Sequence, residues 1–312
     1  MIVTIGNTSY DHITIQGESR EQIGGAAVYS AIAANIFEDI KVGICSRIGS
    51  DYPREYLATL KGLRLDLRGL KQVSGRSTHF KIKYGLPSRA IYEDVIYGCG
   101  LWLNPSDIPL YYFKKAKGFH ITPNNPNKQL RFIKAIRERT NSIISVNSHE
   151  YYVRKYRKQL GEVIENSDIF IINEREALDL TDTKVADNAA KVFYEDYPDT
   201  RVVITLGTLG CILISQGEYD IVTSLFNPNV KDPTGAGDCF CGSYLGSYIL
   251  TKNEFRAAIV GNIVSSLKTE NWGFESLKDL RIKRIEDLYK LIISRKSDLS
   301  TGQKLLTEYF RL

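Results

Sequence analysis

The chain is 312 residues long, 43% hydrophobic and 25% charged, which fits one large α/β domain or two small ones with a core of good size. Its 41 basic and 36 acidic residues leave a net charge of +5. So small an excess, spread along the chain, argues against a nucleic-acid surface, and the basic clusters at 154–158 and 281–284 read as solvated helix faces.

The opening Met1-Ile2-Val3-Thr4-Ile5-Gly6 lacks the basic lead and long apolar run of a signal peptide. No window approaches a membrane span. The five cysteines form no Cys-x-x-Cys pair, and the four histidines show no metal-ligand spacing. These features together predict a cytoplasmic protein.

In chain order, short β-branched runs alternate with helical patterns. The strand Ile2–Ile5 is followed by Asp11, a carboxylate near a strand end, where α/β folds place ligands. Gly24 and Gly25 then precede a small-residue helix over 25–37. Paired glycines at a helix start admit either a ligand or simply close helix–sheet packing. A strand at 42–45 and a helix at 53–61 come next. Residues 73–98 break the pattern, because polar and apolar residues alternate around a turn at 85–87. That is a hairpin with one wet face, read as a lid over a site or as an edge with a packing role.

The alternation resumes with strands at 118–122, 143–146, 169–172, 202–206 and 211–215, and with helices at 128–139, 187–197 and 253–269. Continuous apolar strands separated by helices imply a mostly parallel sheet covered on both faces. The strand at 169–172 ends in Asn173-Glu174-Arg175-Glu176. Asn173 and Glu176 suit a hydrated Mg²⁺, and equally a helix capping box. Thr205 to Gly210 reads as a strand–turn–strand connection. The segment 224–229 leads into the most informative stretch of the chain.

That stretch is Asp232-Pro233-Thr234-Gly235-Ala236-Gly237-Asp238. It opens a helix predicted over 239–250. Two close glycines leave backbone N–H groups unobstructed, and a helix start adds its positive dipole end. The result is a pocket for negative charge. A carboxylate directly after it makes chemical sense if Asp238 takes a proton from a hydroxyl that attacks a phosphoryl group. No Gly-x-x-x-x-Gly-Lys-Ser/Thr occurs, which excludes a P-loop enzyme. The absence of Gly-x-Gly-x-x-Gly with an acidic partner argues against a dinucleotide enzyme.

The stretch resembles the C-terminal signature of the ribokinase-type (PfkB) carbohydrate kinases, and further motifs follow that family's order over roughly residues 1 to 273. The resemblance implies a ribokinase-like three-layer α/β sandwich with a mostly parallel central sheet. It also implies a small β lid from about 13–23 and 73–98, all in one domain over 1–312. It makes Asp238 the catalytic base and Gly235, Ala236 and Gly237 the anion hole. Asp11, Gly24 and Gly25 become substrate-binding, with Asn124 as a further contact. Tyr29 stands where many sugar-specific members carry Asn, and it is carried as a substrate contact.

Asn173 and Glu176 become the Mg–phosphate residues, with Glu176 acting through water. Thr205, Gly207 and Gly210 meet ATP, Asn262 borders the nucleotide, and Asp232 is a candidate ligand of a monovalent cation such as K⁺. The segment 41–70 matches a structural motif of the family. The implied reaction transfers the γ-phosphoryl group of ATP to a hydroxyl of a sugar or cyclic polyol. A nucleoside is the alternative, and it needs an aromatic pocket that Tyr29, Tyr84, Tyr92 and Tyr97 can furnish. A non-catalytic sensor on the same fold is the third reading. Expected partners are a small polyhydroxylated substrate and ATP, with neither nucleic acid nor membrane, in a monomer or homodimer.

Overall fold

The apolar runs sort into two sheets of different character. The structure, a computed structural model, describes residues 1–85, 89–215, 218–224 and 230–294. Most of the connection expected at 224–229, and part of the turn at 85–87, lie outside the described residues.

The strands are β1 (Ile2–Ile5), β2 (Ser9–Ile15), β3 (Glu18–Gly24), β4 (Val42–Ile48), β5 (Leu65–Gln72), β6 (Thr78–Gly85), β7 (Arg89–Ile96), β8 (Gly118–Ile121), β9 (Ile143–Asn147), β10 (Ile169–Asn173), β11 (Arg201–Thr205), β12 (Gly210–Ser215) and β13 (Glu218–Thr223). The large sheet runs in the order β13-β12-β11-β10-β9-β8-β1-β4-β5. Neighbours from β5 to β11 pair in parallel, and β12 and β13 are antiparallel. Along β10, Ile169 and Ile171 enter the core on one face while Phe170 and Ile172 enter the core on the other. Both faces are buried, which explains why these strands read as unbroken apolar runs.

Helices Ala26–Ala34, Ala236–Thr251 and Glu254–Thr269 cover the first face. The first two are buried over most of their length and pack against each other, so they carry small and apolar residues all round. Helices Pro126–Arg137, Arg157–Glu165, Glu174–Thr181 and Ala186–Asp196 cover the other face, each burying an apolar stripe. This is a three-layer α/β sandwich.

The small sheet runs β3-β2-β6-β7. It unites the two segments expected as a lid. Ile13, Ile82 and Trp272 form its own small core, while β3 is largely exposed. Asp11 lies inside β2 of this sheet, not just beyond the first strand of the large one. Two edge strands, β5 and β13, were not foreseen as strands. Each is wetted along an edge, so its apolar residues are diluted by polar ones.

Candidate active site

The small sheet stands over the C-terminal ends of the parallel strands, and a cavity of about 480 Å³ lies between them. Asn7 follows β1, Pro123 and Asn124 follow β8, Asn147 and Ser148 close β9, and Asn173 closes β10. The lid contributes Asp11, Phe80, Tyr84, Tyr92 and Tyr97, and the signature turn contributes 233–238. Parallel strands direct their loops to this edge, which is where open α/β sheets bind ligands.

The signature turn is held open by its backbone. Gly235 sits at φ +74° as the N-cap of the helix Ala236–Thr251. A Cβ there would meet the Tyr29 ring at 2.4 Å. Glycine is therefore required both for the left-handed conformation and for the close approach. The Ala236 amide, expected in the anion hole, instead donates to the Pro233 carbonyl at 3.2 Å. Among the described residues no acceptor meets the amides of Gly237 and Asp238. These open donors at a helix N-terminus are the anion-binding groups of the turn.

Asp238 lies in the first turn of that helix and lines the cavity. Burial pushes its carboxyl up to about 7, against a stabilising hydrogen bond from the Asn147 side chain. Asp11, 2% exposed, is pushed up to about 7 by the same cause, partly offset by the Ser9 hydroxyl and the Phe80 amide. Its Oδ1 is buried with no protein partner. Gly24 makes this placement feasible, since a Cβ on it would lie 1.8 Å from Asp11 Oδ2. Gly24 thus makes room for Asp11, and the cavity wall is formed by its neighbour Gly25. Gly25 caps the helix Ala26–Ala34 at φ +97°. Two buried carboxylates of raised pKa, a pair of open amides and an orphaned acceptor in one cavity suit hydroxyl deprotonation beside anion capture.

Residues 1–277 match the family model described as pfkB family carbohydrate kinase. The chain belongs to this family. It is thus a kinase that phosphorylates a hydroxyl of a small acceptor, and the family uses ATP. A cytidine kinase of Thermococcus kodakarensis is 29% identical over 252 residues, covering 79% of this chain and 88% of that kinase. A ribokinase of Giardia lamblia superposes with a TM-score of 0.78 at 20% identity, covering 92% of this chain and 98% of the other. A nucleoside kinase of Burkholderia thailandensis, solved in complex with inosine, gives a TM-score of 0.78 at 17% identity, covering 94% and 97%.

Several expected contacts of this PfkB kinase are placed differently. Asn173 caps the helix Glu174–Thr181, its Oδ1 accepting from the Glu176 amide at 2.9 Å. Burial raises the Glu176 carboxyl to about 8, partly offset by the neighbouring Asn173 backbone and side chain. Asn173 thus serves as the N-cap of this helix. Asn173 lines the cavity, but Glu176 is buried behind it and does not. Thr205 pairs with Asn173 across the sheet. Thr205, Gly207 and Gly210 lie outside the cavity, along the same strand-end edge.

Asn262 lies outside the cavity. It is 4% exposed, and its Nδ2 donates to the Val222 carbonyl at 3.3 Å, tying its helix to β13. The preceding Gly261 lets Phe240 approach, since a Cβ there would meet that ring at 2.7 Å. Tyr29 lines the cavity with its ring, and its hydroxyl already accepts from Gln22 Nε2 at 3.1 Å. Asn124 lines the cavity and caps its own turn through the Asn125 amide. Asp232 holds an ammonium where a monovalent cation was expected: Lys268 Nζ is 3.1 Å from its Oδ2, and both side chains are fully buried.

Sequence reasoning missed Asn147, the partner of Asp238, and Lys268. The signal for Asn147 was present, because a buried apolar strand gives way there to Asn147-Ser148-His149 at the strand-end edge. No group of three or more His, Cys, Asp or Glu that could hold a metal ion occurs among the described residues.

Proposed function

We propose that this kinase transfers the γ-phosphoryl group of ATP to a ribose hydroxyl of a nucleoside. The observation that carries the nucleoside reading is the aromatic wall of the cavity. Phe80, Tyr84, Tyr92 and Tyr97 come from the lid, and His149, Tyr151 and Tyr152 come from the segment after β9. Phe80 meets Tyr92 and Tyr97 edge-on at 5.9 and 6.1 Å, and Tyr92 meets His149 at 5.9 Å, so the rings form one continuous surface. A free pentose offers such a wall only a small C–H face, whereas a base stacks its whole planar ring on it. The cytidine kinase and the inosine complex among the relatives support the same choice.

In this reading Asp11 accepts hydrogen bonds from ribose hydroxyls through its orphaned Oδ1. Asp238 takes the proton of the attacking hydroxyl. The new O–P bond forms as the bond to the leaving ADP oxygen breaks. The Gly237 and Asp238 amides donate to the transferring group, an effect worth about 3–4 kcal/mol where one such donor has been removed from an enzyme. Mg²⁺ would come with the phosphates and keep most of its waters, with Asn173 at the cavity wall reached through them. The donor nucleotide lies along Thr205, Gly207 and Gly210. The five cysteines are all free and buried, which supports a cytoplasmic setting.

The test is ADP release with nucleosides and free pentoses as acceptors, in the wild type and in Tyr92→Ala. Base stacking on an aromatic ring is worth about 1–3 kcal/mol, so the variant raises the nucleoside KM about tenfold with kcat little changed. A free sugar used as efficiently as any nucleoside would overturn the nucleoside reading. So would an equal KM rise for both acceptors in Tyr92→Ala.

A further inference from the structure

A monovalent cation at Asp232 does not fit the residues present. The carboxylate is fully buried and already saturated. Its Oδ1 accepts from the Thr234 amide at 2.8 Å. Its Oδ2 accepts from the Gly273 amide at 2.9 Å, from Gln22 Nε2 at 3.1 Å and from Lys268 Nζ at 3.1 Å. Lys268 Nζ also donates to the Asp232 carbonyl at 2.7 Å and lies 5.5 Å from the centre of the Tyr29 ring. The ammonium is therefore enclosed by a carboxylate, a carbonyl and an aromatic face, which is a cation environment. A K⁺ ion there would have to displace the buried ammonium or share the one carboxylate with it.

We propose that Lys268 is a tethered internal cation, so that this kinase needs no monovalent metal ion to set its anion-binding turn. Lys268 stands in the last turn of the helix Glu254–Thr269. The Lys231 and Asp232 amides both donate to the Thr269 carbonyl, at 2.7 and 3.1 Å. The end of that helix is thereby fastened to the start of the signature turn. Through Asp232 the ammonium fixes the Thr234 amide, two residues before Ala236 opens the catalytic helix. Through Gln22 the same carboxylate reaches β3, at the base of the lid, and Tyr29, on which Gly235 rests. Lys268 is a positioning residue: it touches no reacting atom and acts through Asp232. The proposal is independent of which acceptor is used.

The experiment compares KCl, NH₄Cl, NaCl and tetramethylammonium chloride at equal ionic strength, reading both turnover and the melting temperature without substrates. The wild type is expected to vary less than twofold in kcat and about 1 °C in Tm across the panel. Lys268→Ala removes the ammonium and leaves room for an ion. It is expected to lose about tenfold or more in kcat in tetramethylammonium and to recover activity and Tm with KCl or NH₄Cl. Lys268→Met fills the same space without charge and is expected to be impaired in every salt. A wild-type kcat or Tm that rises fivefold or by about 5 °C on adding K⁺ would overturn the proposal, whatever the variants do. Full activity of Lys268→Ala without any small cation would overturn it as well. If Lys268→Ala does not fold in tetramethylammonium, folding restored by K⁺ supports the proposal, and folding in no salt alongside wild-type stimulation by K⁺ contradicts it.

Discussion

Asp238→Asn is expected to fold, to bind nucleotide and to lose about 10²–10⁴-fold in kcat, the range set by a positioned general base. The amide keeps the shape of the carboxylate and its place beside the Asn147 side chain, but it cannot accept the hydroxyl proton. A second consequence separates this variant from simple damage. Burial raises the carboxyls of Asp238 and Asp11 to about 7 and that of Glu176 to about 8. A carboxyl whose pKa is higher folded than unfolded stabilises the fold while it is protonated, and it loses that contribution as pH rises through the folded value. The substrate-free wild type is therefore expected to melt at a lower temperature at pH 8.5 than at pH 6. Asp238→Asn is expected to be the more stable protein at pH 8.5, because one buried charge is gone. Thermal denaturation at the two pH values, beside steady-state kinetics, checks both. A variant that is both inactive and less stable at pH 8.5 would speak for a structural role instead.

Gly235→Ala is expected to damage fold and activity together. The added Cβ meets the Tyr29 ring at 2.4 Å, at a φ of +74°. The ring has little freedom to yield, since Gln22 holds its hydroxyl and Lys268 stands over its face. Left-handed backbone costs a non-glycine residue about 1–2 kcal/mol, and overpacking adds roughly 1–3. A loss of roughly 2–5 kcal/mol corresponds to a Tm fall on the order of 3–8 °C for a chain this long. Turnover is expected to fall about 100-fold or more, because the turn that aims the Gly237 and Asp238 amides is displaced. Gly237→Ala is the control. Nothing lies within 4 Å of its added Cβ, so its Tm is expected to stay within about 2 °C of the wild type. Differential scanning calorimetry of the two variants makes the comparison.

The parallel sheet was legible because each central strand is buried on both faces and so appears as an unbroken apolar run. The edges were not, because β5 and β13 carry polar residues wherever they meet water. The signature turn was legible for a different reason. Its Gly235 answers to a positive φ and a close aromatic contact, and such a demand leaves a glycine in the sequence. Asp11 and Gly24 were legible singly, but only the structure shows that one is absent of a side chain so that the other fits. Asn173-x-x-Glu176 illustrates the converse. One spacing serves a helix cap and a metal-linked pair alike, and the structure shows Asn173 as the cap. Asn262 could not be placed from sequence, because a polar residue inside a helix has the same appearance whether it faces a ligand or a neighbouring strand's carbonyl. Lys268 carried no warning, since a lysine in the last turn of a helix is ordinary on dipole grounds. Its partner is 36 residues earlier in the chain, and pattern reading does not reach that far.

The most direct test of the phosphoryl-transfer centre is the pH dependence of kcat/KM for the acceptor at saturating Mg·ATP, from pH 5.5 to 8.5. A base that must be ionised, with its carboxyl near 7, predicts a rate that falls about tenfold per pH unit below that point and levels above it. The residual rate of Asp238→Asn should lack this limb. A wild-type profile that stays flat down to pH 5.5, or a limb that survives unchanged in the variant, would contradict the assignment of Asp238.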